Sequence, residues 1–316
     1  MGSIKSTHGS VKIMKVILTG ATGFLGNCIL RLSCPWDIVP WSRSMRSIDG
    51  VDCRVVDLYD SNAVNAEIAL EKPDWIINTA AITNVDFCEE KHLIARRANV
   101  EIVSSLASAC RAHNVGLLHL STDYVFDGTK AGSYKETDLI CPIGVYGRSK
   151  EAGEAIVREL LEKHIILRTS WVYAAHGNNF VKTMLRIGRE RQNLNVVNDQ
   201  FGAPTFAGDI ADAIFSIAKK VLGHDELEFW GTYHYTAKGR TTWKDFAEVI
   251  FEAASTWLPN KPYVEGIPSS QYPTAAKRPA NSVLNCAKVD SKLGPPRRHW
   301  REGLDEVLDE LKNELK

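Results

Sequence analysis

The chain has 316 residues and 44% of them are hydrophobic, so it can bury one large core or two modest ones. Basic and acidic residues number 38 each, which excludes a general attraction to nucleic acid or to an anionic membrane. No apolar run approaches the ~20 residues that span a bilayer. The seven scattered cysteines indicate reduced core thiols, as in a cytoplasmic protein.

Residues 1–13 lack the apolar core of a signal peptide, and we interpret them as an extension or a remnant of expression. From residue 14 onward, short β-branched runs alternate with helical patterns. The predicted strands cover 16–19, 37–41, 53–56, 75–78, 117–121 and 165–168, and the predicted helices between them cover 24–32, 61–71, 89–113 and 146–162. This alternation predicts an α/β fold, with a Rossmann-type, doubly wound parallel sheet formed by residues 14–171.

After Trp171 the alternation weakens. Further helices are predicted over 179–190, 208–222, 242–256 and 301–315, joined by loops rich in Pro, Gly and Asn. We interpret residues 172–316 as a smaller, mostly helical part that mainly binds the substrate, with some chain crossing between the two parts. Because such sheets bind ligands at the carboxyl ends of their strands, the site is expected in the cleft that this part completes.

The first predicted strand leads directly into a glycine-rich turn, GATGFLG (20–26), and then into a helix. Glycines permit a tight turn and let the backbone approach a pyrophosphate bound at the helix amino terminus. A purely structural turn is the alternative, but its place after the first strand of a βαβ unit favours dinucleotide binding. The expected cofactor contacts are Gly20, Thr22, Gly23, Phe24, Leu25 and Gly26.

The end of the second predicted strand indicates which dinucleotide binds. It carries Ser42 and Arg43, with no acid before Asp49. An arginine suits a ribose 2′-phosphate whereas an acid suits the free 2′-hydroxyl, so the sequence favours NADPH, with weaker binding of NADH. A solvated loop arginine is the alternative for Arg43. The later strand ends add candidate cofactor contacts, namely Asp57, Leu58, Ala80 and Ala81.

Tyr146 and Lys150 lie one helical turn apart in YGRSK (146–150), the only Tyr-x-x-x-Lys among the nine tyrosines. A carbonyl that is reduced by hydride needs a proton donor on its oxygen. A nearby lysine ammonium lowers the pKa of a tyrosine, and the same lysine can hold the nicotinamide ribose. Thr122, at the end of the fifth predicted strand, can orient the carbonyl. The alternative is a coincidence of two side chains on one helix face.

Taken together, these motifs resemble the extended short-chain dehydrogenase/reductase superfamily. More narrowly, the dTDP-4-dehydrorhamnose reductase family is similar to this chain at STDYVFDG (121–128), YGRSKEAGE (146–154), RTSWVY (168–173), GNNFVKTML (177–185), VVNDQFGAPT (196–205) and KRPANS (277–282). The resemblance runs from about residue 14 to residue 312. It implies NADPH-dependent reduction of the 4-keto group of a nucleotide-linked 6-deoxyhexulose, which gives dTDP-L-rhamnose.

The resemblance also implies roles for single residues. Tyr146 would be the general acid and Lys150 its partner, and both would contact the cofactor. Thr122 and Asp123 would bind the sugar. Trp171 would pack on the sugar ring, with ordinary core packing as its alternative.

Four further residues carry expectations. Arg278 is interpreted as a clamp on the substrate pyrophosphate, with a surface charge as the alternative, and Asn281 is a weaker candidate substrate contact. Asn99, a candidate cofactor contact, either serves the water network of the active site or caps its helix. Some family members bind Mg²⁺ through a glutamate in the first helix. Because this chain has Cys28 at the matching position, we expect no metal site.

Two other functions stay open at this point. One relative of the family is the catalytically silent, NADP-binding β subunit of methionine adenosyltransferase, which also keeps a Tyr-x-x-x-Lys. A regulator has no need for RTSWVY, DQFGAPT and KRPANS, which are intact here. The other alternative is an epimerase or a reductase of a different 4-keto sugar, since the residues specify neither the nucleotide nor the stereochemistry of the sugar. A homodimer is compatible with the sequence but not specified by it.

Overall fold

The computed structural model describes residues 13–222 and 227–314. The strands are, in chain order, β1 (Lys15–Thr19), β2 (Asp37–Ser42), β3 (Ser47–Ile48), β4 (Val51–Asp52), β5 (Arg54–Val55), β6 (Trp75–Asn78), β7 (Gly116–Thr122), β8 (His164–Thr169), β9 (Val172–Tyr173), β10 (Asn193–Val197), β11 (Phe201–Gly202), β12 (Thr205–Phe206), β13 (Gly231–His234), β14 (Thr241–Thr242) and β15 (Tyr263–Ile267). The helices are α1 (Phe24–Arg31), α2 (Ser61–Glu71), α3 (Val85–Glu90), α4 (His92–Arg96), α5 (Ile102–His113), α6 (Val145–Leu160), α7 (Phe180–Glu190), α8 (Ala207–Leu222), α9 (Trp243–Ala254), α10 (Ala287–Lys292) and α11 (Trp300–Glu314), with a π-helical turn at Arg97–Glu101.

Seven strands form one parallel sheet in the order β13-β8-β7-β6-β1-β2-β5. Strand β1, next to the central strand β6, is buried on both faces, and its side chains alternate between two cores. Leu18 packs with Leu25 of α1 on one face, and Ile17 packs with Val103 of α5 on the other. The predicted doubly wound α/β fold is confirmed.

The register of the sheet places the carboxyl ends of its central strands side by side, at one end of the sheet. Thr19 pairs with Asn78, and Asn78 pairs with His119, three residues before β7 ends at Thr122. Thr122 in turn pairs with Thr169, the last residue of β8. The turns and helices that follow these strands therefore begin around a common cleft.

The single helix predicted over 89–113 is wrong. Its first part is α3, which is capped by the Asn84 side chain accepting from Phe87 N at 3.0 Å. Lys91 (φ −123°, ψ 60°) interrupts the helix before α4, and the π-helical turn then precedes α5. Apolar spacing continues across these breaks, which is why the periodicity predicted one continuous helix.

The later half of the chain contributes to the sheet and also builds a core of its own. Strand β13, which the sequence pattern did not predict, pairs in parallel with β8. Ile214 and Ile217 of α8 lie in the same core as Ile29 of α1. Helices α7, α9 and α11 enclose a second core around Phe246 and Trp300. These contacts show chain crossing, while the domain boundary at residue 171 stays a prediction. No described helix is long and apolar enough to cross a bilayer.

Candidate active site

The glycine-rich turn between β1 and α1 requires glycine at two positions. Gly20 has φ +70°, and a Cβ there would lie 2.6 Å from Ala80 N. A Cβ on Gly26 would lie 2.3 Å from the Gly20 carbonyl oxygen. These close approaches pack α1 directly against the ends of β1 and β6. Gly23 is exposed, and its nearest Cβ neighbour is the Gly20 oxygen at 3.2 Å, so the backbone at Gly23 stays open to a ligand.

The amino terminus of α1 is suited to an anion. Its N-cap is Gly23, no side chain of the described residues caps it, and its first turn contains no acid. Thr22 is exposed beside this terminus. The Leu25 side chain, in contrast, is 9% exposed and lies in the core, so only its backbone can contact a cofactor. Phe24 packs edge to face on His176, which donates through Nε2 to the Phe24 carbonyl at 3.1 Å.

The end of β2 presents a cation without a protein partner. Arg43 is exposed and makes no ion pair or hydrogen bond within the described part of the chain. Ser42 directs its hydroxyl to the Ser44 carbonyl, which holds the turn that carries Arg43. Asp57 is exposed after β5, whereas Leu58 is 6% exposed and its side chain belongs to the core. The prediction for Leu58 is therefore corrected to a backbone contact at most.

Asn99 is enclosed by protein and is not available to a cofactor. It is 0% exposed, its Oδ1 accepts from Ile82 N at 2.9 Å, and its Nδ2 donates to Ile82 O and to Ser149 Oγ, each at 3.0 Å. It lies inside the π-helical turn and caps no helix. The capping interpretation is therefore wrong: Asn99 ties the loop after β6, which contains half-buried Ala80 and Ala81, to helix α6.

Thr122 and Tyr146 meet at the edge of the sheet. The Thr122 hydroxyl lies near enough to act on the ionisation of Tyr146, and the ring of Tyr124 lies edge to face on Tyr146 with the centroids 5.6 Å apart. Burial raises the pKa of Tyr146 above its ordinary value, and the nearby Thr122 hydroxyl opposes this only in part. The net direction is therefore opposite to the lowering expected from a neighbouring lysine ammonium, and burial is its largest cause. Tyr146 therefore stands in its proton-carrying form.

Lys150 is buried behind Tyr146. It is 3% exposed, and its Nζ donates to the Leu120 carbonyl at 2.6 Å. The same Nζ lies 3.3 Å from His119 Nε2. Burial lowers the pKa of Lys150 to about 8, although the Glu154 carboxylate acts in the opposite direction. The amine therefore loses its charge in mildly alkaline solution.

Asp123 brings an unsatisfied carboxyl oxygen to the same place. The residue is 2% exposed, its Oδ1 accepts from Thr122 Oγ1 at 3.0 Å, and its Oδ2 has no hydrogen-bond partner among the described residues. Burial raises the pKa of Asp123 to about 7, while the nearby hydroxyls of Ser282 and Thr122 oppose the rise. A buried acceptor without a donor is costly, so this oxygen is suited to a donor that a ligand brings.

Trp171 is half of an aromatic pair. It stacks on Trp243 with ring centroids 3.5 Å apart and an interplanar angle of 4°. Its backbone is in the left-handed region (φ +47°), which is strained for a bulky residue and typical of functional sites. A Cβ on Gly202 would lie 2.3 Å from the Trp171 indole, so Gly202 makes room for the ring. Trp243 Nε1 donates to Gln200 Oε1 at 3.2 Å, which fixes the second ring.

Arg278 is paired across the cleft. Its guanidinium donates to both carboxylate oxygens of Asp86 on α3, at 2.7 and 3.3 Å, and Asp86 also accepts from Ala276 N at 3.0 Å. The Arg278 side chain is 24% exposed, so it is neither fully solvated nor free. Asn281 does not match its prediction, because its Nδ2 donates to Lys130 O and Gly132 O and so holds a loop rather than a ligand.

Comparison with known proteins identifies the family of a chain that has this open glycine turn and buried Tyr-Lys pair. The family described as "RmlD substrate binding domain" matches residues 14–313. A dTDP-4-dehydrorhamnose reductase of Aggregatibacter actinomycetemcomitans is 42% identical over 295 residues, which cover 93% of this chain and 98% of the relative. The chain belongs to the dTDP-4-dehydrorhamnose reductase family. The predicted family and the predicted oxidoreductase class are confirmed.

Other members of the reductase family give the same picture. The dTDP-4-dehydrorhamnose reductase of Escherichia coli K12 is 38% identical, covering 94% of this chain and 98% of the relative. The crystal structure of the Bacillus anthracis reductase, in complex with NADP, matches with a TM-score of 0.85 at 34% identity and covers 95% of this chain and 100% of that one. Cys28, where some family members carry a glutamate, is a half-buried thiol whose pKa burial raises to about 11, so it is protonated at neutral pH.

Three residues of this reductase site were missed from the sequence. Asp86 pairs with a residue 192 positions away, which no local pattern reveals. Trp243 begins α9. The sequence shows a large aromatic residue there, but only the folded structure places it against Trp171. His119 lies three residues before Thr122 in β7, and its position beside Lys150 depends on the packing of α6 over the sheet.

Proposed function

We propose that this reductase uses NADPH to reduce the 4-keto group of a nucleotide-linked 4-dehydro-6-deoxyhexose, with dTDP-4-dehydro-L-rhamnose as the substrate and dTDP-L-rhamnose as the product. The observation that carries the proposal is the protonated Tyr146 hydroxyl beside Thr122, at the sheet edge that also bears the open glycine turn. An acid at this point suits reduction of a carbonyl, because the oxygen must gain a proton as the carbon gains a hydride.

The residues at the first two strand ends fit a phosphorylated dinucleotide. The free amino terminus of α1, reached past Gly23, would hold the pyrophosphate, and unpaired Arg43 would hold the 2′-phosphate. The Bacillus anthracis relative, which is described in complex with NADP, supports this choice. Lys150 would donate to the hydroxyls of the nicotinamide ribose. Bound NADPH supplies the hydride.

The remaining steps belong to side chains of this chain. Tyr146 donates its phenolic proton to the carbonyl oxygen as negative charge develops there, and Thr122 keeps the tyrosine and the carbonyl oriented. An ammonium on Lys150 would stabilise the tyrosinate that is left and so oppose the burial that raises the pKa of Tyr146. Tyr146 then regains a proton from solvent. The substrate gains one hydride and one proton in total.

The substrate would be held by groups that lie on both sides of the cleft. The unpartnered Oδ2 of Asp123 would accept a hydrogen bond from a sugar hydroxyl, and the Trp171 indole would pack on the apolar face of the ring. Arg278 would leave Asp86 for the pyrophosphate, which offers two negative charges in place of one. All seven cysteines lie in the described part of the chain and carry free thiols, which supports a cytoplasmic location.

Oxidation of NADPH by the purified full chain tests the proposal, with dTDP-, UDP- and GDP-linked 4-keto-6-deoxy sugars offered in parallel. We expect turnover with the dTDP sugar and at most weak turnover with the other two. Tyr146→Phe is the matched control, because it removes one oxygen and keeps the ring. NADPH binding without turnover of any of these sugars would refute the catalytic role and favour a regulatory one.

A further inference from the structure

His119 lies in the centre of the sheet edge and touches Lys150, yet the reaction described above assigns it no role. The His119 side chain is 0% exposed, and every other residue of β7 is buried as well. Its Nδ1 lies 3.0 Å from Asn78 Nδ2, and its Nε2 lies 3.3 Å from Lys150 Nζ. Both ring nitrogens are therefore occupied by protein groups, and the hydrogen-bonding pattern decides which of them carries the proton.

The orientation of Asn78 is fixed by a group that can only donate. Asn78 Oδ1 lies 3.1 Å from Ala80 N, a backbone amide, and 2.7 Å from Thr19 Oγ1. The atom facing Ala80 N must be the oxygen, so the atom facing His119 is the NH₂ group of Asn78. An amide NH₂ donates only, which requires a lone pair on His119 Nδ1. The proton of the neutral ring is then on Nε2.

This assignment points the Nε2–H of His119 at the amine of Lys150. An ammonium there would set two donors against each other at 3.3 Å, whereas a neutral amine would accept the hydrogen bond through its lone pair. Lys150 can meet both neighbours as an amine, by donating to Leu120 O at 2.6 Å and accepting from His119. We propose that His119 is a positioning residue that favours the neutral amine of Lys150 in the free enzyme, so that binding of the dinucleotide takes up a proton.

This inference rests on the proposed cofactor site. Proton uptake follows because binding of the cofactor would add ribose hydroxyls to the surroundings of Lys150, which in the free enzyme are His119 and the Leu120 carbonyl. Ribose hydroxyl oxygens accept hydrogen bonds and therefore favour the ammonium over the amine. Burial lowers the pKa of Lys150 to about 8 and that of His119 well below its ordinary value, which agrees with a neutral ring beside a weakly basic amine.

The other groups around Lys150 do not account for this behaviour. Among the described residues, the titratable groups that act on Lys150 are His119 from β7 and Glu154 from α6. Glu154 favours the ammonium, but its carboxylate already accepts from Arg168 at 2.6 and 2.8 Å and from Ser121 at 2.5 Å. Nearby Asn99 and Ser149 are uncharged. His119 is thus the neighbour that presents a fixed donor to Lys150.

Calorimetric titration of NADPH into the full chain at pH 8, in two buffers of different ionisation enthalpy, counts the protons taken up. We expect roughly half a proton per NADPH. Lys150, with a pKa of about 8, is about half protonated in the free enzyme at this pH and would be fully protonated in the complex. The 2′-phosphate does not contribute, because with a pKa near ~6 it is ionised throughout at pH 8. Lys150→Met should remove the uptake and so identify the group.

Two variants test His119 itself. His119→Gln can offer a side-chain oxygen to Lys150, and we expect the uptake at pH 8 to fall at least about threefold because the ammonium is then favoured in the free enzyme. Asn78→Asp keeps the shape and reverses the His119 tautomer, since a carboxylate accepts from Nδ1–H and leaves Nε2 as an acceptor. It should lower the uptake in the same way, even if the glutamine variant fails to fold.

The outcomes separate this inference from the proposed function. Binding heat that is the same in both buffers for the parent chain would overturn the role of His119 while leaving NADPH binding intact. Unchanged uptake in the folded His119→Gln and Asn78→Asp variants would overturn it as well. A complete absence of binding heat would overturn the proposed cofactor site together with the inference.

Discussion

Asp123 is expected to make the protein less stable at neutral pH than in mild acid. Burial raises the pKa of its carboxyl from 3.8 to about 7, so between these values the unfolded chain has released a proton that the folded chain retains. Stability from this residue is therefore fully present below pH ~4, and it is lost as the pH rises towards 7. The full loss is about 4 kcal/mol, from roughly three pKa units at about 1.36 kcal/mol each.

The measurement is urea unfolding of the parent and of Asp123→Asn at pH 5 and at pH 8. The variant cannot ionise at this position, so its stability relative to the parent should rise by roughly 2 to 3 kcal/mol between the two pH values. Its kcat/KM should fall, because the oxygen meant for the substrate is replaced or turned away. The same stability difference at both pH values would refute the reasoning.

Asp127 supplies a matched control of opposite sign. Hydrogen bonds from Tyr134 and Thr129 lower the pKa of Asp127, so its carboxylate contributes stability that is present at neutral pH and is lost on acidification. Asp127→Asn should therefore reduce stability at pH 8 rather than raise it. A general effect of replacing aspartate by asparagine would move both variants in the same direction.

Three further predictions concern the site. Tyr146→Phe should lower kcat by about 10² to 10⁴ while leaving NADPH affinity nearly unchanged, and single-turnover hydride transfer within about threefold of the parent would contradict the assignment of the acid. Arg43→Ala should remove most of a preference for NADPH over NADH of at least about tenfold, measured by calorimetry; equal affinities in the parent would contradict its phosphate role. Arg278→Ala should raise KM for the nucleotide sugar about tenfold at unchanged NADPH affinity, whereas Asp86→Asn, which frees Arg278, should lower it; unchanged KM in Arg278→Ala would return Arg278 to a structural role.

The parallel sheet could be predicted because each of its strands can be recognised from its own short stretch of sequence. Runs such as VILT and WIIN are apolar and β-branched since both faces of their strands are buried, and each run is legible without its neighbours. The interruption near Lys91 could not be predicted in this way. It is accompanied by hydrogen bonds between Asn99 and the Ile82 backbone, 17 positions earlier, and the helical spacing on either side is preserved.

The same distinction between local patterns and long-range contacts applies to the residues of the site. The glycine turn and the Tyr146–Lys150 pair are patterns with fixed spacing, so a sequence displays them directly. The salt bridge of Arg278 and the pKa of Tyr146 depend on what surrounds each group after folding. Burial reversed the expected direction for Tyr146, because desolvation disfavours the phenolate and the Lys150 amine is engaged with the Leu120 carbonyl.

The pairing of β13 with β8 also has a consequence for dissecting the molecule. A fragment ending near residue 171 would keep six strands of the sheet and lose the one that hydrogen-bonds to His164–Thr169. The exposed edge would carry unpaired amides and carbonyls along an apolar strand, which is a template for aggregation. Residues 14–171 are thus not a detachable module, and exchanging them between relatives requires that residues 231–234 are exchanged as well.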